Sequence, residues 1–338
     1  MDSAYLEGFS MEHPQRVVLV AGAGRSGTTW LGKLLDASPK VFYKNEPDNW
    51  AKLPFFRDVP SRLDPTPDNA RHRDAYRQGI AACFWHHSTD FYRPPEFEKD
   101  FLRNGLFRLE TLALRARRKL GRGVPVQRIP RFVFKQPVAD VHLVMKSVIS
   151  NLRLAWIHEH FPEIRLVMII RHPGAYVASW RRGQNQEGWS GFGDRARLDE
   201  TVLPFPHPDQ ERYRDVYENG SDLERELVYW LVANETPLLA LADSPRLKLV
   251  VYEDLCADPE GVLREVYAHC DVPFGDSARS FVRASTSVHE DAYRSVLKDP
   301  TRTVNRWRDE LSADESAVVE RHLGASFLAK HWPRSVDA

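Results

Sequence analysis

Short apolar runs alternate along this chain with longer segments in which apolar residues recur at helical spacing. Apolar runs with few charges are typical of strands buried on both faces, and a spacing of three to four residues is typical of helices. The alternation therefore predicts an α/β fold with a parallel sheet and helices on both of its faces. The predicted strands are Arg16–Ala21, Val41–Lys44, Val141–Lys146, Arg165–Ile170 and Lys248–Tyr252. The predicted helices are Thr28–Asp36, Phe97–Lys119, Val148–His160, Pro173–Arg182, Leu223–Ala242, Pro259–His269 and Ala313–Leu323.

The same pattern predicts one domain over residues 16–338, preceded by a polar, acidic tail over residues 1–15. Two stretches, 47–71 and 183–210, are long and rich in Pro, Gly or Asp. Loops of that length inside a compact domain are usually lids or binding loops, and surface insertions are the alternative. Both stretches carry aromatic side chains, which suggests an apolar or ring-bearing ligand. These aromatic residues are Trp50, Trp189 and Phe192.

Charge and cysteine content narrow the possible partners. The 47 basic residues balance the 47 acidic ones, so no global field attracts nucleic acid or a membrane. The three cysteines (Cys83, Cys256 and Cys270) are widely spaced, which argues against a disulfide framework and predicts a reducing, cytoplasmic compartment. No apolar run approaches membrane length, and residues 1–15 lack the pattern of a signal peptide. We therefore expect neither a nucleic-acid nor a membrane partner.

Residues 17–31 combine a predicted strand, a glycine-rich turn and the start of a helix. Backbone N–H groups and the helix dipole favour an anion at such a helix start. The arginine and the hydroxyls of this turn add donors that suit a terminal or bridging phosphate. The stretch therefore predicts a phosphate site, and a glycine turn without a ligand is the alternative. The predicted ligand-binding residues are Gly24, Arg25, Ser26, Gly27, Thr28, Thr29 and Trp30.

The turn also fits two better-known patterns. Residues 22–27 match GxGxxG, and Glu46 follows at about the distance expected in a dinucleotide-binding fold. The same residues nearly match a Walker A loop, but Thr28 occupies the position of its lysine. An NAD(P)-dependent oxidoreductase, a P-loop kinase for small molecules and a non-catalytic nucleotide-binding module are therefore alternatives.

Cations follow two further predicted strands. Arg171 ends one of them, where P-loop enzymes commonly have a Mg²⁺-binding acid, and Ser179 lies about two helical turns further on. Lys146 ends another strand, where a buried lysine is costly unless an anion is present. A carboxylate partner for the arginine and solvent for the lysine are the alternatives. We expect both cations to converge with Arg25 on a ligand that carries two separated anionic groups and needs no metal.

Together these motifs resemble those of sulfotransferases that use 3′-phosphoadenosine 5′-phosphosulfate (PAPS) as donor. Residues 25–30 (RSGTTW) resemble the family's loop for the phosphosulfate, and residues 171–179 (RHPGAYVAS) resemble its site for the 3′-phosphate. Residues 249–255 (LVVYEDL) resemble a signature whose tyrosine, here Tyr252, lies against the adenine, on which Trp30 stacks. The resemblance covers about residues 17–311. It implies a P-loop-like α/β fold, transfer of a sulfuryl group to an acceptor hydroxyl or amine, and 3′-phosphoadenosine 5′-phosphate (PAP) as product.

Arginine at position 25 and Glu46 resemble the carbohydrate and tyrosylprotein branches of the family. The cytosolic branch has a histidine base two positions after its strand-end lysine, where this chain has Val148. The resemblance therefore implies that Glu46 is the base and that Lys146 and Arg25 stabilise the developing charge. A salt bridge for Glu46, with Asp48 as the base, is the alternative. The late residues that loosely resemble the family's second 3′-phosphate motif are Arg302 and Arg306.

Other groups of residues give weaker signals. The histidine-containing segments 83–87 and 158–160 lack a full ligand set at zinc-site spacing, so no metal is expected. The basic run Arg115–Arg122 is interpreted as a solvated helix end, with an acidic acceptor as the alternative. A small molecule, a sugar, a lipid and a peptide tyrosine all remain possible acceptors. The sequence gives no signal for the oligomeric state.

Overall fold

A computed structural model describes residues 16–49, 56–87, 96–120, 128–135, 141–195, 199, 207–287 and 303–333. The predicted tail at 1–15 and the two site candidates Trp50 and Arg302 lie outside these residues. In the described part of the chain, five parallel strands form a sheet in the order β2-β3-β1-β4-β5. The strands are β1 (Arg16–Ala21), β2 (Val41–Asn45), β3 (His142–Ser147), β4 (Ile164–Ile170) and β5 (Leu247–Val251).

Helices connect the strands and cover both faces of the sheet. The first six are α1 (Thr28–Asp36), α2 (Arg73–Trp85), α3 (Asn104–Lys119), α4 (Leu154–His160), α5 (Pro173–Glu187) and α6 (Gln210–Asn219). The remaining ones are α7 (Asp222–Leu241), α8 (Tyr252–Ala257), α9 (Pro259–His269), α10 (Asp276–Ser287), α11 (Trp307–Glu310) and α12 (Ala313–Gly324). Among the described residues, none of these helices is both long and apolar enough to span a bilayer.

Strand β1 lies at the centre of the sheet, hydrogen-bonded to β3 on one side and to β4 on the other. Its alternate side chains enter two separate cores, Val17 and Leu19 on one face and Val18 and Val20 on the other. Because both faces are buried, the strand reads as an uninterrupted apolar run rather than an alternating one. The predicted parallel α/β sheet with helices on both faces is confirmed.

The order of the strands places a crevice beside β1. After β1 the chain crosses to β2 on one side of the sheet, and after the neighbouring β4 it crosses to β5 on the other side. In open α/β sheets, ligands bind at the carboxyl ends of strands where the connections diverge in this way. The loop after β1 and the residues after β4 therefore lie at the position expected for a binding site.

The strands were predicted to within one residue, whereas the starts of two helices were wrong. The helix predicted from Val148 begins only at Leu154, after a short 3₁₀ helix at Asn151–Arg153, because Ser150 and Arg153 contact the Asp48 carboxylate.

The helix predicted from Phe97 begins only at Asn104, whose side chain accepts a hydrogen bond from the Lys99 backbone at 2.9 Å. The Lys99 ammonium is buried at the end of α1, where it donates to the Asp36 carboxylate at 2.8 Å and to the Ser38 carbonyl at 3.1 Å. This tertiary contact holds the segment before α3 in a non-helical conformation.

Candidate active site

The loop between β1 and α1 has a backbone that is shaped for an anion. Arg25 and Gly27 have φ angles of 74° and 94°, in the left-handed region, and Gly27 directly precedes α1. A Cβ atom at Gly27 would lie 2.5 Å from the Tyr252 ring, so no larger residue fits there without a rearrangement. Around Gly24, in contrast, a Cβ would meet nothing within 4 Å. The open side of the loop is therefore where a ligand can approach the backbone.

Ser26 supplies a second indication that the loop holds an anion. The residue is completely buried, yet its hydroxyl oxygen has no hydrogen-bond partner among the described residues. Buried polar side chains are normally hydrogen-bonded, so an orphaned hydroxyl calls for a ligand or water. The buried hydroxyl and the helix start fit a bound phosphate or sulfate group.

The two predicted phosphate motifs meet through Arg25. Its Nε donates a hydrogen bond to Ser179 Oγ at 3.0 Å, and its carbonyl oxygen accepts one from Arg171 Nη1 at 3.3 Å. The sequence required Arg171 to reach over the helix to share an anion with Ser179. In the structure the arginine of the first loop links the two residues instead. The loop after β1 and the start of α5 thus form one continuous basic surface.

Arg171 is fixed from three sides and still has an unused donor. Its Nη2 donates to the Thr303 carbonyl at 3.2 Å, and its guanidinium carbon lies 4.3 Å from the centre of the Tyr252 ring. Its Nε is buried without a hydrogen-bond partner in the described part of the chain. A rigid, mostly buried arginine with a free donor suits an anionic group better than solvent.

Trp30 and Tyr252 lie side by side at the edge of this surface. Their ring centres are 5.9 Å apart and the rings are inclined by 66°. The Trp30 indole donates to Ser285 Oγ at 3.2 Å, which ties α1 to α10. Burial raises the pKa of Tyr252 to about 12, so its hydroxyl stays neutral at physiological pH. The structure brings the two rings together as the resemblance implies, while their contact with adenine stays a prediction.

Glu46 and Lys146 form an ion pair at the carboxyl end of the sheet. Their side chains approach to 2.5 Å, and the Glu46 backbone N–H donates to the Lys146 carbonyl at 2.6 Å. Glu46 has a φ of 48°, and its second carboxylate oxygen accepts a hydrogen bond from Asn49 at 2.9 Å. A fixed carboxylate beside a buried ammonium can accept a proton while the cation stabilises nearby negative charge.

Asp48, the alternative base, lies in a different environment from Glu46. One of its carboxylate oxygens accepts hydrogen bonds from Ser147 at 2.7 Å and Ser150 at 2.8 Å, and forms an ion pair with Arg153. The Arg153 side chain is fully buried and also donates to the Pro60 carbonyl at 3.0 Å. Asp48 therefore anchors the chain after β2 onto the segment before α4. Sequence reasoning missed Arg153 because its position carries no motif.

Near the end of the chain, Arg306 lies beside Trp307, and the indole rather than the arginine makes the observed contacts with the site. Arg306 is 53% exposed and forms an ion pair with Glu310 at 2.6 Å, one helical turn away. Trp307 stacks on His172 with ring centres 4.5 Å apart. A Cβ at Gly174 would come within 2.4 Å of the same indole. Trp307 thus fixes this segment against the start of α5, and a role for Arg306 in cofactor binding stays a prediction.

The second aromatic loop reaches the same surface. Helix α5 continues five residues beyond its predicted end at Arg182, and Gly188 ends it in a left-handed conformation with a φ of 67°. Trp189 follows, and its ring centre lies 5.1 Å from the Arg25 guanidinium and 5.2 Å from the Trp180 ring. The Trp189 ring therefore lies beside the loop after β1, while an apolar or ring-bearing ligand stays a prediction.

Among the described residues, one group of three has the side chains needed to hold a metal ion, and it lies outside the predicted site. Ligand atoms of His207, Asp209 and Glu235 all lie within 4.8 Å of one another. However, Glu235 already accepts hydrogen bonds from Tyr213 and Ser326 at 2.5 Å each. His207 Nδ1 accepts the Asp209 N–H, so a neutral ring keeps its proton on Nε2, which faces Glu235. These hydrogen bonds favour a structural network over a metal site.

We expect His172 to make the fold sensitive to acid. Burial and the charges of Arg308 and Arg171 lower the pKa of this ring from 6.5 to about 3, and its Nδ1 accepts the Gly174 N–H. Between these two pH values the unfolded chain binds a proton that the folded chain does not, so stability falls as the pH falls. The slope is about 1.4 kcal/mol per pH unit.

The variant His172→Asn keeps an acceptor for the helix start and removes the titration. Urea unfolding at several pH values between 6 and 4 should therefore give a shallower pH dependence for the variant than for the unmodified chain. Equal slopes for the two proteins would show that another group causes the loss.

Comparison with known proteins places these features in a family. The model described as "Sulfotransferase family" matches residues 17–276. Carbohydrate sulfotransferase 3 of Homo sapiens is 21% identical over 373 aligned positions, which cover 96% of this chain and 69% of that protein.

The solved structures that resemble this one include two sulfotransferase domains and a mouse enzyme. The sulfotransferase domain from the curacin biosynthetic pathway gives a TM-score of 0.44 at 14% identity, covering 93% of this chain and 99% of its own. The sulfotransferase domain of the Synechococcus PCC 7002 olefin synthase gives a TM-score of 0.42 at 16% identity, and the match covers 92% of this chain and 96% of that domain. A mouse sulfotransferase complexed with PAP gives a TM-score of 0.41 at 10% identity, and the match covers 95% of this chain and 88% of that one. Because the family model covers well over half of the chain, the protein belongs to the sulfotransferase family and is an enzyme that transfers a sulfuryl group.

Proposed function

We propose that this sulfotransferase takes the sulfuryl group from PAPS and transfers it to an acceptor hydroxyl or amine, with Glu46 as the base. The observation that carries the proposal is the link from Arg171 through Arg25 to Ser179. The link places the loop predicted to hold the phosphosulfate beside Arg171 and Ser179, which are predicted to hold the 3′-phosphate. Such an arrangement suits a ligand with two separated anionic groups, which PAPS has. The mouse sulfotransferase that resembles this chain was solved with PAP, which supports the same donor.

In the proposed reaction, proton transfer and charge stabilisation are carried out by different residues. The acceptor oxygen or nitrogen attacks sulfur in line, the bond from sulfur to the bridging phosphate oxygen breaks, and PAP leaves. Glu46 takes the proton that the acceptor loses. Lys146 lies 2.5 Å from Glu46 and can stabilise negative charge on the oxygens around sulfur. The loop at residues 24–29 holds the phosphate that becomes the leaving group.

Donor use can be tested directly with the purified protein. We expect PAP to raise the melting temperature and NAD to leave it unchanged, because the oxidoreductase alternative has no support in the family assignment. Transfer of labelled sulfate from PAPS to a panel of hydroxylated acceptors should proceed in the presence of EDTA. Dependence on Mg²⁺ would contradict the metal-free reaction and would favour kinase-like chemistry.

Replacing Arg171 by alanine should weaken PAP binding about 30-fold. The variant loses charge-assisted hydrogen bonds worth about 2 kcal/mol. Binding of adenosine 5′-phosphosulfate, which lacks the 3′-phosphate, should change little. Isothermal titration calorimetry with both ligands measures the difference, and an equal loss for the two would contradict the assignment of Arg171 to the 3′-phosphate.

Arg306→Ala tests the arginine near the end of the chain, and its PAP affinity is compared with that of Arg171→Ala. Because Arg306 is half exposed and paired with Glu310, we expect its removal to weaken PAP binding far less than the removal of Arg171. A loss as large as that of Arg171→Ala would instead assign the second 3′-phosphate contact to Arg306.

The acceptor class and the compartment stay at the level of proposals. A small molecule, a sugar or a lipid suits a site bordered by Trp189, and the acceptor panel above tests each class. The human relative is named a carbohydrate sulfotransferase, which gives sugars a place in that panel. A cytoplasmic location is supported by the three cysteines, all of which are free thiols.

A further inference from the structure

Helix α3 carries an unusual amount of exposed apolar surface. Of the seven large apolar side chains that are exposed among the described residues, five lie on α3, just after it or in the turn packed against its start. Such side chains scattered singly need no explanation, but a cluster of them marks an interaction surface. The exposed fractions are 40% for Leu106, 65% for Leu109, 57% for Leu112, 70% for Leu120 and 61% for Phe132.

The spacing of these residues makes them one continuous stripe. At about 100° per residue, Leu106, Leu112 and Leu120 project within about 60° of the direction of Leu109. Ala113 and Ala116 project into the same sector and add no polar group. The side chains that α3 packs onto the protein point the opposite way, at about 140–160° from Leu109. The buried or partly buried ones are Phe107, Thr111 and Leu114. Helix α3 is therefore apolar on its outward face as well as on its inward face.

Basic side chains border this stripe on both sides. Arg117 and Lys119 are exposed and project at about 80° to either side of Leu109. Arg103 and Arg131 are exposed near the other end of the stripe, beside Phe132. None of these four forms an ion pair with another described residue, whereas Arg108 and Arg115, also on α3, pair with Glu98 and Glu96. The surface around the leucines is therefore positively charged.

We propose that the outward face of α3, with Phe132, binds the surface of an anionic lipid membrane. Leucine and phenylalanine side chains flanked by arginine and lysine are the composition that inserts at the boundary between acyl chains and headgroups. Each basic residue near an anionic bilayer adds attraction of its own. This proposal differs from the sequence-based expectation of no membrane partner. That expectation rested on the zero net charge of the whole chain, which does not reveal a local basic surface.

Charge favours a membrane over a second copy of this chain. Two copies packed through the α3 stripe would place Arg117 and Lys119 of both chains close to the same interface. The acidic residues beside this helix already have partners in their own chain: Glu96 and Glu98 pair with arginines, and Glu110 lies 3.4 Å from His87. Like charges without compensation across an interface cost several kcal/mol. An anionic bilayer meets the same residues with complementary charge.

The position of α3 gives this binding a consequence for the site. Phe107 contacts Phe42 on the edge strand β2, with ring centres 6.3 Å apart. Glu110, one turn later, lies 3.4 Å from His87. The preceding residue, His86, accepts a hydrogen bond through its carbonyl oxygen from Lys44 on β2. Helix α3 thus runs along β2 towards its carboxyl end, which Glu46 follows. Membrane binding through α3 would bring this edge of the sheet to the bilayer. The proposal does not depend on the identity of the sulfuryl donor.

Sedimentation of the full chain with vesicles tests the proposal. We expect binding to vesicles that contain phosphatidylglycerol and little binding to pure phosphatidylcholine. Leu109→Glu should weaken binding to the anionic vesicles by about tenfold or more, because it replaces an inserted apolar side chain by a charge that the anionic lipids repel. Lys119→Glu should weaken it by about fivefold or more.

Leu239→Glu is the matched control, since Leu239 lies on α7 and is 49% exposed. It should bind the vesicles as the unmodified chain does, and all variants should keep the same melting temperature. The proposal is overturned if the unmodified chain ignores anionic vesicles, or if Leu239→Glu loses as much binding as Leu109→Glu. It is also overturned if the chain is a dimer that Leu109→Glu separates and that binds no vesicles, which would assign the face to a second copy.

Discussion

Glu46→Gln is expected to lower turnover by about 10²- to 10⁴-fold and to leave PAP binding nearly unchanged. General-base catalysis contributes an effect of this size. Glutamine keeps the shape of the side chain and can still contact Lys146 and Asn49, but it accepts no proton from the acceptor. Steady-state transfer of labelled sulfate gives the turnover, and calorimetry gives the affinity for PAP.

The amide variant is preferred to alanine for a structural reason. Lys146 is 2% exposed, and complete removal of the Glu46 carboxylate would take away an ion pair that offsets the cost of burying this charge. If Glu46→Gln retains full turnover while PAP still binds, the base is a different residue. If turnover and PAP affinity fall together by the same factor, Glu46 acts by shaping the site rather than by accepting a proton.

Asp48→Ala should lower the free energy of unfolding by about 3–5 kcal/mol. The side chain of its partner Arg153 is completely buried, and an arginine cannot lose its proton, so the variant leaves an unpaired charge in the protein interior. Urea unfolding at neutral pH measures the loss. The effect arises from the chain after β2 and the segment before α4, which the ion pair holds together.

An exposed ion pair provides the comparison. Glu265 lies 2.5 Å from Lys248 and is 67% exposed, so Glu265→Ala should change the free energy of unfolding by less than about 1 kcal/mol. Similar losses for the two alanine variants would mean that the Asp48 pair is hydrated and contributes little.

The contrast between Glu46 and Asp48 shows where sequence patterns stop being informative. The two carboxylates are two residues apart, and both follow β2. The resemblance favoured Glu46, but composition and spacing gave no reason to separate the roles. The separation arises because Glu46 meets Lys146 at the end of β3, whereas Asp48 meets Arg153, which lies 105 residues away in the chain.

The sequence by itself determined the features that depend on neighbouring residues. The apolar runs predicted five strands and their parallel arrangement, because a strand buried on both faces must be apolar throughout. The glycine-rich turn predicted an anion site, since its backbone conformation and the following helix start are local properties. Arg171 at the end of β4 and Ser179 about two helical turns later predicted a second phosphate site.

Only the tertiary structure decided which distant side chains meet. It joined Arg25 to Ser179 across 154 residues, started α3 late because Lys99 is buried against α1, and left the outward leucines of that helix uncovered. A periodic pattern shows that a helix has an apolar face, but not whether a neighbouring element covers it. The order of strands in the sheet and the packing of loops over it determine these contacts, and neither is encoded in the spacing of residues along the chain.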